Sequence, residues 1–336
     1  MKPVLVLALS LALAACGAPR TAPETPTGSP ERTARLSAGP VIAPDFGDAD
    51  PHDWTGRAPA SYPVHGIDVS RWNLDVNWHA ARAAGVNFAF VKATEGGDRV
   101  DPLFFTHIAQ AEDAAIPWGA YHFFYWCTDA ATQARWFIAN VPRRPGGLPP
   151  VLDLEWNPYS PTCTTRPDPR VVRAEVATFL AIVGRHYGQR PVVYTTVDFF
   201  RDNGLADIDA EEFWLRSTAA HPAERFPGTP WVFWQYSGTG RVPGIGGDVS
   251  LNAFAGSPAA WAAWHARRAQ RRHRQKPRKG GRCPPPRACC AHPGIFEDRK
   301  WGLTEASLNH RRAGGHSAGH AGCPPSPRHP RAGGAS

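Results

Sequence analysis

Pro149-Pro150-Val151-Leu152-Asp153-Leu154-Glu155-Trp156 is the stretch on which the fold turns. Apolar residues run almost without interruption, and two prolines start the run sharply. Such a segment reads as a parallel strand buried on both faces rather than one with a wet side. Asp153 and Glu155 are two apart on it. A strand sends alternate side chains to opposite faces, so both carboxyls share a face, roughly 6.5–7 Å apart at the backbone. Two carboxyls facing into one cavity repel, so one of them should keep its proton at neutral pH and be able to donate it.

The same rhythm extends to either side. Strand-like runs fall at 64–70, 86–92, 117–125, 150–156, 190–196, 212–218, 231–237 and 248–254. Helical stretches separate the first five, at 78–84, 104–115, 130–140 and 169–187. Strands alternating with helices imply a parallel sheet with crossover helices. Eight strands suggest closure into a barrel, and the last three links hold too little helix for a regular one. The expectation is an α/β chain with a barrel over 62–264.

Acidic and aromatic residues gather at the C-terminal ends of these strands, where chemistry in such barrels is found. Asp68 ends the first strand, Lys92 and Glu95 the second, Tyr121 and His122 the third, and Tyr194 the fifth; Trp234 lies on the seventh. Aromatic side chains at a barrel mouth can stack on sugar rings. No cluster of His and Cys accompanies the carboxyls, so neither a metal nor a cofactor is expected.

Both ends of the chain differ from its middle. Lys2 and the apolar run 4–15 read as an export signal, too short for a stable membrane span. It closes on Leu13-Ala14-Ala15-Cys16, which resembles a bacterial lipoprotein box with Cys16 as the lipid-bearing residue. This predicts an exported protein held in the cell envelope by a membrane anchor. Residues 16–61 read as a proline-rich tether, reaching roughly 35–40 Å if flexible. Of 37 Lys and Arg, 16 fall after His265, against 3 of the 29 acidic residues. The formal charge of +8 therefore belongs to a basic Pro/Gly/Arg-rich tail, 265–336, read as disordered, and the rest is net acidic. Basicity confined to a tail gives no reason to expect a nucleic-acid partner. Cys127 and Cys163 each follow a predicted strand on the same rim, and an exported compartment permits a disulfide between them. Cys283, Cys289, Cys290 and Cys323 lie in the tail without zinc-ligand spacing.

Taken in order, Gly66-Ile67-Asp68-Val69-Ser70, Val91-Lys92-Ala93-Thr94-Glu95-Gly96, Gly119-Ala120-Tyr121-His122-Phe123, Asp153-Leu154-Glu155, Tyr194-Thr195, Trp234-Gln235-Tyr236-Ser237 and Leu251-Asn252-Ala253-Phe254 resemble the glycoside hydrolase family 25 muramidases. The resemblance covers about 64–256. It implies a flattened TIM-like barrel of eight strands with about five β/α units. It also implies hydrolysis of the β-1,4 bond from N-acetylmuramic acid to N-acetylglucosamine in peptidoglycan glycan strands. Under it, Glu155 is the general acid, Asp153 orients the substrate's acetamido group as internal nucleophile, and Asp68 is a third site carboxylate. Glu95, Tyr121, Tyr194, Trp234 and Asp248 are the expected substrate contacts, in a monomer. The family usually carries Asp two residues before the Asn of its last strand; here that position is Ser250, which leaves the fourth carboxylate missing or moved to Asp248. The departure keeps open a non-catalytic peptidoglycan-binding lipoprotein on the same barrel. A chitinase-like hydrolase is a weaker alternative, since the longer acidic strand of those enzymes is absent.

Overall fold

The computed structural model describes residues 39–274 except 145 and 211, with side chains described through 268. Eight strands form a closed ring: β1 (His65–Val69), β2 (Val86–Glu95), β3 (Trp118–Phe123), β4 (Val151–Leu154), β5 (Val192–Thr195), β6 (Phe213–Arg216), β7 (Phe233–Arg241) and β8 (Val249–Phe254). Strands β1 to β7 run parallel, each beside the next, and β8 lies antiparallel between β7 and β1. The few residues between β7 and β8 are too few for a crossover, so the chain must reverse there.

Helices α1 (Trp78–Ala83), α2 (Phe104–Asp113), α3 (Ala130–Asn140), α4 (Pro169–Tyr187) and α5 (Val197–Asn203) follow β1 to β5, and the four-residue α6 (Pro222–Arg225) follows β6. These are the five β/α units and the helix-poor end that were expected. Local chemistry sets their ends. Asn77, Asp129 and Asp168 accept backbone N–H bonds at the starts of α1, α3 and α4. Gly188 closes α4 at φ 74°, a backbone conformation that glycine adopts without steric cost.

Side-chain alternation divides the core in two. Ile67, Ala89, Val91, Leu152, Leu154, Val193 and Leu215 pack outward under the helices. Phe88, Phe90, Val151, Val192, Tyr194, Trp214 and Phe233 fill the interior. Gly66 belongs to this inner layer; a Cβ there would meet the Phe88 carbonyl at 2.4 Å and the Phe88 ring at 2.5 Å.

Both expected domain boundaries move outward. The second half of the predicted tether is packed against the barrel. Ile42 N–H donates to Asn87 Oδ1 at 2.9 Å, Gly47–Asp48 pairs with Arg241 and Gly240 of β7, and Trp54 meets Trp234 edge-on at 5.1 Å. Prolines on either side had hidden the apolar Val41, Ile42, Phe46 and Trp54. At the other end, α7 (Pro258–Arg274) continues past 264. Its Trp261 and Trp264 are buried on Phe88, Phe233 and Phe254, and Arg268 is 1% exposed, paired with Glu212 and donating to the Arg190 carbonyl. Arg190, Glu212 and Phe233 sit at or before the starts of β5, β6 and β7, Phe88 lies near the start of β2 and Phe254 at the end of the reversed β8, so α7 covers the barrel floor, opposite the carboxyls. The signal segment 1–15, Cys16, the tether up to 38, the tail beyond 274 and its four cysteines lie outside the described residues. Among the described residues, no helix is long and apolar enough to cross a membrane.

Candidate active site

Strand ends bring Asp68, Lys92, Tyr121, Asp153, Tyr194, Gln235 and Asn252 toward one another at the C-terminal mouth. Asp68 Oδ2 accepts from Gln235 Nε2 at 2.8 Å and from Asn252 Nδ2 at 2.9 Å. Each amide is anchored in turn. Tyr194 donates its hydroxyl to Gln235 Oε1 at 2.9 Å, and Trp214 Nε1 donates to Asn252 Oδ1 at 2.8 Å. Ser250 lies opposite Asp68 in the β8–β1 register, close enough to favour the ionised carboxyl. Burial pushes the Asp68 carboxyl up from the ordinary range, against the pull of these hydrogen bonds and of Arg216.

Asp153 is buried, and its Oδ1 has no hydrogen-bond partner among the described residues. Burial, together with the neighbouring Glu155 and Asp68, holds its carboxyl well above the usual range, and Lys92 opposes the shift only in part. Glu155 follows β4 directly and lines a cleft of about 670 Å³. Burial raises its carboxyl to about 7; Arg216 and Lys92 oppose the rise, while Asp198 and Asp68 add to it. The pair therefore holds at least one proton near neutrality, because low polarity and mutual repulsion both disfavour the doubly ionised state. Tyr121 and Tyr194 feel the same field: burial and the site carboxylates hold both phenols well above their ordinary value.

Three expected contacts are placed otherwise. Trp234 is fully buried on the outer face of β7, donates Nε1 to the Ser217 carbonyl at 2.7 Å, and packs with Tyr62 and Trp54. Strand alternation gives the inward position to Gln235 instead. Glu95 is buried beside three cations: Lys92 Nζ at 2.5 Å, and Arg71 and Arg99 at 3.9 Å. Burial raises its carboxyl, those charges lower it, and the net shift is down. It pairs with Lys92, which also lies over the Phe123 ring at 4.7 Å. Asp248 precedes the irregular start of β8 and turns to Arg241 at 2.6 Å, half-exposed, so it does not stand in for the carboxyl missing at Ser250. His122, on the outer face of β3, is held between Thr94 at 2.7 Å and Gln133 at 3.0 Å; burial lowers it to about 4, so it stays neutral.

Gln235 and Asn252, quoted above only within longer motifs, complete the site together with Trp214, Arg216 and Asp198, which had not been singled out. Counting inward positions from Asp68, Asp153 and Tyr194 would have reached the first three. Cys127 and Cys163 form the expected disulfide, with Cα atoms 5.8 Å apart, joining the loops after β3 and β4 beside the cleft. No group of three His, Cys, Asp or Glu among the described residues is arranged to hold a metal ion.

Comparison with known proteins places this geometry. The profile of glycosyl hydrolases family 25 matches residues 67–245. Lysozyme M1 of Streptomyces globisporus is 35% identical over 276 residues, 75% of this chain and 88% of that protein. The uncharacterized protein YegX of Escherichia coli K12 is 35% identical over 209 residues, 60% of this chain and 73% of that one. Among solved structures, the bacterial lysozyme from Streptomyces coelicolor superposes with a TM-score of 0.54 at 35% identity, covering 61% of this chain and 98% of that chain. A family 25 glycosyl hydrolase from Bacillus anthracis gives 0.55 at 28% identity, covering 65% and 98%. With its barrel, its carboxyls and the profile match all falling on the same residues, this chain belongs to family 25 of the glycosyl hydrolases.

Proposed function

We propose that the chain is a muramidase, cutting the β-1,4 bond from N-acetylmuramic acid to N-acetylglucosamine in peptidoglycan, with Glu155 as general acid. The observation that carries this reading is the Asp153/Glu155 pair: a cleft-lining carboxyl raised to about 7 beside a deeper one with an unpartnered buried oxygen. In the proposed reaction Glu155 gives its proton to the glycosidic oxygen as the C1–O bond breaks. The substrate's acetamido oxygen attacks C1, and Asp153 Oδ1 accepts the acetamido N–H, which gains positive charge as the ring closes. Water then opens that ring at C1 and returns a proton to Glu155. Asp68, fixed by two amide donors, supplies negative charge against the oxocarbenium-like transition state. Tyr121 and Tyr194 are the substrate contacts retained from the sequence reading.

Relatives named lysozyme and N,O-diacetylmuramidase support the substrate class. Ser250 replaces a fourth carboxylate but leaves the other three in place, which favours turnover over simple glycan binding. The Cys127–Cys163 disulfide supports an oxidising, exported location, in keeping with the signal at 1–15. Lipid attachment at Cys16 is the remaining part of the proposal.

Two displacements at C1 retain its configuration. Proton NMR of a cleaved glycan at early times should therefore show the β anomer at new reducing ends, ahead of mutarotation. An initial α anomer would mean direct attack by water and would remove the internal nucleophile from the mechanism.

A further inference from the structure

The cleft that begins at Glu155 runs outward between the loop after β4 and the segment from β6 to α6, and four arginines line it. Arg166 comes from that loop, Arg201 from α5, Arg216 from the end of β6 and Arg225 from α6. Two carboxyls, Glu155 and Asp198, line the same space, and Glu155 keeps its proton up to about pH 7. The cleft is thus net positive on a body whose sequence outside the tail is net acidic. Composition alone would not place four guanidinium groups there.

Their local partners leave this charge largely unspent. Arg216 and Arg225 have no carboxylate within ion-pair distance among the described residues. Arg201 reaches only Asp202, at 3.6 Å, on an exposed surface where such a pair is weak. Arg166 lies 4.9 Å over the Trp156 ring, while Trp156 Nε1 is tied to Asp202 at 3.0 Å. That cation covers a face on which a sugar could have stacked. A guanidinium fork matches a carboxylate with two parallel hydrogen bonds, and a cleft lined by one sign of charge concentrates ligands of the other.

An N-acetylated glycan is neutral apart from its lactyl groups, and a lactyl carboxyl that carries a peptide stem is an uncharged amide. In stem-bearing peptidoglycan the carboxylates therefore belong to the short peptide stems on the muramic acid residues. We infer that this arginine-lined arm binds the acidic peptide stem, so that the enzyme favours stem-bearing glycan over bare glycan. The inference rests on the muramidase reading, and its test separates the two.

The measurement is kcat/KM on glycan strands with intact stems and on the same strands after an amidase has removed them, which frees one lactyl carboxylate on each muramic acid, so that the bare strand is itself anionic and lacks only the stem. The stem-bearing strand should be favoured about tenfold at low salt, the size of one charge-assisted hydrogen bond. The ratio should shrink at high salt. A double Arg166→Gln/Arg225→Gln variant should bring the ratio to within about twofold of one, and Arg166→Lys/Arg225→Lys should recover part of it. Equal rates on both strands in the native protein, or equal proportional losses on both in the Gln variant, would overturn the inference. Cleavage of neither strand would instead count against the muramidase reading. In that case NMR titration with a free stem tetrapeptide decides the arm alone: saturable shifts weakened at least fivefold by the double Gln variant support it, and their absence overturns it.

Discussion

Ser250 and Asp68 face each other across the β8–β1 pair, and the serine side chain counters part of the rise that burial imposes on the carboxyl. The Asp68 carboxyl is held by the neutral amide donors of Gln235 and Asn252, with a serine and not a further carboxyl at the position opposite. Ser250→Asp should raise the Asp68 carboxyl and, more weakly, Glu155. Both limbs of the pH–rate profile should then move upward, the acid limb by roughly one unit. Asp248→Asn should leave the profile where it was, because Asp248 is engaged with Arg241. Superimposable profiles for Ser250→Asp and the native protein would place position 250 outside the catalytic field.

Glu155, raised to about 7 from an ordinary 4.5, links activity to stability. In kcat/KM, the alkaline limb should fall as pH rises through about 7, when the general acid loses its proton. For stability, a raised folded-state value means that the folded protein holds the proton more tightly. That contribution is complete below about 4.5 and is lost as pH rises through 7. Glu155→Gln carries no such penalty. Its melting temperature relative to the native protein should therefore be higher at pH 8 than at pH 5, with on the order of 3 kcal/mol as the upper bound. Parallel melting curves at the two pH values would show that the folded environment does not raise Glu155.

Truncation distinguishes tail from fold. Ending the chain after Gly256 removes Trp261, Trp264 and Arg268 and leaves Phe88, Phe233 and Phe254 uncovered at the barrel floor. Losing either buried tryptophan alone typically costs about 3–5 kcal/mol, a large share of a domain's stability. This shorter chain should be insoluble or melt far below the native protein, whereas a chain ending after Arg274 should keep the native transition. Calorimetry compares them, and equal melting temperatures would make α7 dispensable.

What the sequence disclosed follows from periodicity. The first four helices and the eight strands stand out because their apolar residues repeat with the period of the element. The Asp153/Glu155 pair stands out because a strand carries both to one face. Trp234 misled because a large aromatic in a motif draws attention, while the period of two assigns the inward position to its neighbour Gln235. The arm at 39–61 and helix α7 were obscured by prolines and arginines, although Trp261, Trp264 and Arg268 keep a helical spacing on one face. The arginine-lined arm was out of reach, since its members come from four segments that only the closed barrel brings together.

Product ends report directly which bond is cut and which group protonates it. Purified peptidoglycan would be digested with the native protein and with Glu155→Gln, the products reduced with borohydride, and the reducing ends identified by mass spectrometry. Reduced N-acetylmuramic acid is expected at new ends from the native protein and none above background from Glu155→Gln, which has no proton to give. Reduced N-acetylglucosamine at those ends, or native-like release by a folded Glu155→Gln protein, would contradict the muramidase reading with Glu155 as general acid.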